Sequence, residues 1–334
     1  VLLDSLSSLS SSVCVRESLK SDHLGLPPVC SWRPALCSHR FASIMTITGP
    51  LILLSPAKTL NFQRSLTAAL AAATPTQPCM LKQTAELTAV LGKMSKTQVK
   101  SLMGLSDSLA ALNHDRFQSF SQQSTRTAIA AFEGMAYKGL DAPSLAPEGL
   151  DYLQSHLRIL CGLYGVLRPY DEIRPYRLEM STKLSVGEAS NLYAYWGNML
   201  TEAIDDEAAE WVLNCASAEY AKSINFKSLQ APVITAVFPG PAVHAKQARG
   251  ELARFCAERS VTKPEELMAF TGANGAWNYV AEASDASTYT FNRGAPKPAT
   301  KSSSSAGSKR KVAADDAEEA APPADGSSRR VKRK

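Results

Sequence analysis

Residues 147–180, PEGLDYLQSHLRILCGLYGVLRPYDEIRPYRLEM, hold the choice on which the fold turns. Read at a period of 3.6, Leu150, Leu153, Leu157, Leu160, Cys161 and Tyr164 share one face, which predicts a helix running up to Gly162 and Gly165. From 156 onward the same stretch gathers four arginines, three tyrosines and three acids around Pro169 and Pro175. Proline fixes its own φ and biases its predecessor toward extended backbone, so Arg168 and Arg174 are presented stiffly. Preorganised guanidinium groups suit bidentate binding of phosphate or carboxylate, and Tyr164, Tyr170 and Tyr176 are candidates to stack on bases or ribose. The same residues also fit an internal ion network, with Asp171, Glu172 and Glu179 neutralising the arginines while the tyrosines pack.

On the N-terminal side, residues 80–120 carry apolar residues at helical spacing with breaks near Gly92 and Gly104, which predicts three short helices. On the C-terminal side, NLYAYWGNMLTEAIDDEAAE (191–210) reads as one helix after Asn191, WVLNC (211–215) and PVITAVF (232–238) as buried strands, and AVHAKQARGELARFCAER (242–259) as a long helix. AWNYVAEASDASTYTF (276–291) reads as a strand pair. Strands and helices alternate without a repeat or a regular βαβ cadence. The expectation is a mixed α/β (α+β) single compact domain, a central mixed sheet surrounded by helices, over residues 45–293. Residues 1–44 are serine-rich, with Pro27, Pro28 and Pro34, and read as a disordered or targeting extension; Met45 directly precedes the first strand. Residues 294–334 are rich in Ser, Ala, Pro and charge and lack aromatics, so they read as a disordered basic tail.

Of 334 residues 45% are apolar, enough to bury a substantial core. No apolar run reaches the ~20 residues of a membrane helix; the longest candidate, LILL at 51–54, is one short strand. The net charge of +5 is deceptive. The tail holds 10 of the 36 basic and 5 of the 31 acidic residues, so the rest of the chain carries 26 of each. A phosphate-binding surface on the body therefore needs local clustering of Lys and Arg. The seven cysteines, Cys14, Cys30, Cys37, Cys79, Cys161, Cys215 and Cys256, lack a Cys-x-x-Cys pair or matching histidines, so neither a metal site nor a cofactor is expected. Their odd number favours reduced thiols.

Three further stretches place candidates. In LLSPAKTL (53–60) a strand runs into a Ser-Pro turn followed by Lys58, a ligand position at a strand's carboxyl end without the glycines of a Walker loop. The long helix bears Lys246, Arg249 and Arg254. Arg249 lies at the edge of the apolar face made by Ala245, Ala248, Leu252, Phe255 and Cys256, where an arginine needs a partner or a ligand. NCASAEYAKSI (214–224) offers Ser217, Glu219, Tyr220 and Lys222 after a strand, while Cys215 reads as a structural thiol. VKSLMGLSDSLAALNHDRF (99–117) reads either as an ordinary helical hairpin or as a helix-hairpin-helix-like element, with Gly104 at the turn and Ser106 as an N-cap. Asp107 there would repel phosphate.

Taken in order, LLSPAKTL, SDSLAALNHDRF, AIAAFEGMAYKGL, the stretch at 156–180, LYAYWG, LNCASAEYAKSI, AKQARGELARF and KPEELMAF resemble the peroxide stress resistance protein YaaA family over most of residues 51–293. The resemblance implies a compact mixed α/β fold, a helix-hairpin-helix-like element, double-stranded DNA bound in a positively charged cleft, and a part in limiting oxidative damage to DNA. It brings no established reaction. The cleft is expected to gather Lys58, Arg168, Arg174, Arg177, Lys222, Lys246 and Arg249. Two departures stand out. The hairpin before AKQARG is shortened to PGPAVH (239–244), which would remove one wall of the cleft, and the terminal extensions fall outside the bacterial pattern and point to a eukaryotic setting. Basic clusters at 309–311 and 329–334 fit a nuclear import receptor, giving a cytoplasmic or nuclear location, with organellar import through residues 1–44 as another route. The alternative function is a nucleobase- or nucleotide-processing enzyme, its cleft holding an extruded nucleotide with Glu179, Asp171 or Glu219 as acid or base. A scaffold whose tail recruits partners is a third reading.

Overall fold

The computed structural model describes residues 47–294, so the expectations placed on residues 1–44 and on the tail fall outside the described residues. Its centre is a seven-stranded sheet built from β1 (Pro50–Leu54), β2 (Leu157–Cys161), β3 (Gly165–Leu167), β4 (Trp211–Asn214), β5 (Val233–Val237), β6 (Trp277–Tyr279) and β7 (Thr288–Arg293). The order is β6-β7-β5-β4-β1-β2-β3. Five strands run parallel, and the edge strands β3 and β6 run antiparallel to their neighbours. Every residue of β1, β2 and β4 is buried, as parallel strands inside an α/β domain require. The expected mixed α/β class is the observed one, and no helix among the described residues is long and apolar enough to cross a membrane.

The three N-terminal helices fall where the glycines predict: α1 (Leu81–Leu91), α2 (Lys96–Met103) and α3 (Asp107–Gln118). Gly104 closes α2 in the left-handed region at φ 61, and the Ser106 hydroxyl accepts from Leu109 N–H at 3.4 Å to open α3. Val99, Leu105 and Ala110 form a small core of this hairpin, apart from the main one.

The predicted helix through Tyr164 is corrected. After α4 (Met135–Leu140), α5 (Pro147–His156) ends at His156, and the chain turns extended at Leu157 to form β2. Leu157, Ile159, Leu160 and Cys161 are all fully buried, and one helical face cannot carry neighbours pointing in such different directions. A central strand covered on both sides buries them all, and Ile52 and Leu54 pair with Leu157 and Ile159. Period alone cannot separate the two readings of a short apolar run. The helix expected at 191–210 is likewise two, α6 (Leu192–Trp196) and α7 (Met199–Asp205), broken at Gly197 with φ 47. α8 (Ala218–Ala221) follows β4, and α9 (Ala242–Arg259) is the predicted long helix.

Candidate nucleic-acid interface

From β1 the chain builds β2 and β3 on one side, and only afterwards lays β4, β5, β7 and β6 on the other. Such a reversal between adjacent parallel strands leaves a crevice at their carboxyl ends. Here it lies between β1 and β4. The residues just past the two strands are joined: Ser55 Oγ donates to Ser217 Oγ at 3.1 Å and accepts from the Ser217 N–H at 2.8 Å. The Tyr137 hydroxyl of α4 donates to the Ser55 carbonyl at 3.2 Å.

Lys58 stands at the rim with its side chain 60% exposed, its Nζ 2.8 Å from Glu179 Oε2. The other oxygen of Glu179 lies 3.3 Å from an Arg177 nitrogen, so one carboxylate is shared by two cations 119 residues apart in sequence. The Ser181 N–H donates to Glu219 Oε1 at 3.0 Å and so ties this segment to α8. At the end of α8 the Lys222 ammonium sits 5.0 Å from the centre of the Tyr193 ring, whose hydroxyl donates to the Glu219 carbonyl at 2.9 Å. A cavity of about 350 Å³ lies between Ser101, Leu102 and Met103 at the end of α2 and Arg177, Glu179 and Lys183. It makes the helical hairpin a neighbour of the cationic rim.

Arg249 lies deeper. α9 meets α4 backbone to backbone: a Cβ on Gly250 would stand 1.7 Å from the Ala136 carbonyl oxygen, and one on Gly139 2.2 Å from that of Gln247. Arg249 adjoins this contact and makes no hydrogen bond or ion pair with any described residue. Burial pulls its guanidinium below the usual arginine range, with the neighbouring Cys215 pulling the other way. Burial likewise pushes the Cys215 thiol up to about 12, against the charge of Arg249. Of four buried side-chain N or O atoms without a hydrogen-bond partner among the described residues, three are the Nε of Arg174, Arg177 and Arg249. Orphaned buried donors are rare in native folds, and three on arginines expected to hold anions single these residues out. The Arg174 guanidinium otherwise faces the Phe120 ring at 5.9 Å.

The family profile described as Peroxide stress protein YaaA matches residues 51–282. The chain belongs to the YaaA family. It is 42% identical over 259 residues to the UPF0246 protein of Janthinobacterium sp. (strain Marseille), covering 73% of this chain and 98% of that protein. Over 267 residues it is 40% identical to the UPF0246 protein of Burkholderia multivorans (strain ATCC 17616 / 249), with the same coverage of both. It is also 41% identical over 269 residues to a UPF0246 protein of Burkholderia mallei (strain SAVP1), 73% of this chain and 99% of that one. These relatives are bacterial and lend no support to a nuclear location.

The cleft expected from the YaaA resemblance is redrawn in two places. Arg168 follows β3, which runs antiparallel to β2, and so it emerges toward the amino ends of the parallel strands, away from Lys58. There Glu207 lies 3.8 Å from Arg168 and binds the buried Arg158. Asp171 belongs to the same end, accepting from the Arg168 N–H at 2.8 Å and the Thr76 hydroxyl at 2.6 Å, which removes it as an acid–base candidate in the crevice. The tyrosines are not stacking surfaces: Tyr164, Tyr170 and Tyr176 are all buried. The Tyr164 hydroxyl accepts from the Arg174 N–H at 2.9 Å, and that of Tyr176 lies 2.8 Å from Cys161 Sγ. Phenol rings inside the core lock the Arg174–Arg177 backbone instead. Gly104 and Ser106 form the hairpin turn, with Asp107 neutralised by Lys100 at 2.6 Å, and Lys246 is exposed one turn before Arg249. Sequence reasoning missed Ser55, Tyr193 and Phe120. Of these, Ser55 alone carried a signal, its place at a strand's carboxyl end.

Proposed function

We propose that this protein binds double-stranded DNA during peroxide stress and limits oxidative damage to it, holding the backbone along a basic path at the carboxyl edge of the sheet. The path runs from the α2–α3 hairpin past Arg174 and Arg177 to Lys58 and Lys222, with Lys246 and Arg249 on the α9 side. Membership of a family named for peroxide stress supports the physiological setting. The observation that carries the binding reading is the set of orphaned Nε donors on Arg174, Arg177 and Arg249 in a body whose charge is otherwise balanced. Phosphate oxygens are the acceptors that such preorganised guanidinium groups suit. An enzymatic reading gains nothing comparable, because Glu179 is held between two cations and Glu219 is bound to a backbone N–H.

The test is the salt dependence of affinity for a covalently closed duplex, measured with the full chain and with a chain ending at residue 294. Each phosphate contact contributes about −0.9 to the log–log slope. Lys58→Ala, Arg177→Ala and Lys222→Ala should each flatten it by about one unit. Glu179→Gln should tighten binding, because the phosphate no longer competes with a resident carboxylate. Loss of all salt-dependent binding on removing the tail refutes the proposal.

A further inference from the structure

A cavity of about 180 Å³ beside α4 is lined from two stretches of the chain, 64–70 and 126–143, and the DNA path makes no use of it. Its apolar lining comes from Leu70, Ile129, Phe132, Tyr137 and Leu140, each at most 8% exposed. This lining is held in place. The Phe132 and Tyr137 rings pack 5.2 Å apart, the Tyr137 hydroxyl is anchored on the Ser55 carbonyl, and the contact at Gly139 and Gly250 locks α4 against α9. The mouth is charged instead, with Arg64 and Lys138 exposed and Arg126 half-buried. Both acids of the lining are already committed. Glu133 pairs with Arg64 and accepts from the Asn61 amide at 3.3 Å; Asp141 accepts from the Ser144 hydroxyl at 2.5 Å and lies 3.6 Å from Arg254. Arg126 and Lys138 have no acid partner among the described residues. The Arg126 Nε and one Nη donate to the Ala130 and Arg64 carbonyls at 3.2 and 2.5 Å, which fixes the guanidinium and leaves N–H groups on both Nη atoms. Burial first, and then the charge of Arg64, draws Arg126 below the usual arginine range, and a bound anion would relieve both.

We infer that this cavity is a binding site for a small amphipathic carboxylate, a single ring or short chain whose apolar body packs inside while its carboxylate meets Arg126 and Lys138 at the mouth. Size and charge together select the class. An apolar cavity of about 150 Å³ holds one benzene ring, so the volume here suits one ring and little more. A neutral ring leaves the two cations unanswered, and an anion without an apolar body leaves the buried walls wet. A duplex backbone has no apolar body to place there. The free N–H groups at the end of a guanidinium match the two oxygens of a carboxylate, and the fixed position of Arg126 lowers the entropy lost on binding. None of these cations belongs to the proposed DNA path, so the inference stands apart from the DNA-binding reading.

The full-length protein is titrated at constant ionic strength with benzoate, benzyl alcohol and acetate, and dissociation constants are taken from the shift in thermal unfolding. Benzoate should bind about tenfold or more tightly than either of the others, the ratio expected of one charge-assisted contact or of one buried ring. Arg126→Gln should weaken benzoate about tenfold and leave benzyl alcohol within about twofold, and Lys138→Gln should weaken benzoate by a smaller factor. Lys138 is exposed, so its variant serves even where Arg126→Gln fails to fold. Photolabelling of wild type with 4-azidobenzoate, mapped by peptide mass spectrometry, should mark residues within 64–70 or 126–143 and be displaced by benzoate. Benzyl alcohol binding as tightly as benzoate overturns the inference in favour of an apolar cavity without an anion subsite. Acetate binding as tightly overturns it in favour of a surface cation pair. No saturable shift with benzoate, a label placed elsewhere, or a folded Arg126→Gln that binds benzoate like wild type overturns it as well. Each of these results leaves the salt dependence of DNA binding to be judged separately.

Discussion

Glu207→Ala tests the reassignment of Arg168 and its surroundings to a structural role at the amino edge of the sheet. Arg158, the second residue of the fully buried β2, is only 3% exposed. Its Nε and one Nη bind the two oxygens of Glu207 at 2.7 and 2.8 Å, and its other Nη donates to the Leu157 and Gln154 carbonyls at 2.8 and 3.2 Å. Removing the carboxylate therefore strips two charge-assisted hydrogen bonds from a buried cation and leaves two neutral ones. Breaking one side of a buried pair costs about 3–5 kcal/mol. Glu207 is itself about a fifth exposed, so water recovers part of this, and about 3 kcal/mol is expected. For a domain of this size that is a fall in Tm of roughly 6–12 °C. Burial works against the ionised Glu207, but the hydrogen bonds and charge of Arg158 prevail and hold its carboxyl below the usual range. Its contribution is thus full above the ordinary glutamate pKa and lost as pH falls through the lower folded value. Urea unfolding at neutral pH and again in acid, for wild type and variant, measures both. The double variant Arg158→Met/Glu207→Leu should recover most of the loss, since it leaves no unpaired charge. A single variant costing under about 1 kcal/mol, or a double variant as unstable as the single, refutes the reasoning.

The same reassignment predicts that Arg168→Ala leaves the salt slope of DNA binding unchanged, a result read directly beside Lys58→Ala in the same titration. His156, stacked on Tyr152 at 4.0 Å and 2.7 Å from the Pro50 carbonyl, is lowered in pKa chiefly by burial. Because the folded state resists its protonation, stability should drop as pH falls below about 6.5, the ordinary histidine value, and His156→Gln should flatten that slope in urea titrations between pH 7 and 5. Among the described cysteines Cys79 is exposed, whereas Cys161 and Cys215 are buried with thiols pushed up to about 11 and about 12. Brief alkylation of the folded protein at pH 8 followed by peptide mass spectrometry should label Cys79 well ahead of both; faster labelling of Cys215 would contradict its burial.

The sequence by itself determined the class of the fold, the hairpin of α2 and α3 with its breaks at Gly92 and Gly104, the strands that flank the crevice, and the even balance of charge in the body. These follow from composition, turn chemistry and period, which act over a few residues. Tertiary structure alone decided that the apolar run after His156 is a strand, because β1, about a hundred residues away, supplies its parallel hydrogen-bonding partner and packing from elsewhere in the chain buries both of its faces. That one choice set the direction of β3, carried Arg168 and Asp171 to the amino edge, and turned Tyr164 and Tyr176 into the core. It also decided the partners. Glu179 meets Lys58 across 121 positions, and Arg249 comes beside Cys215 with no acid at all, because strand order and the close approach of α4 and α9 fix which distant side chains share a space. Local pattern names the cations; only the path of the sheet determines which of them are already neutralised and which keep a buried Nε without a partner among the described residues.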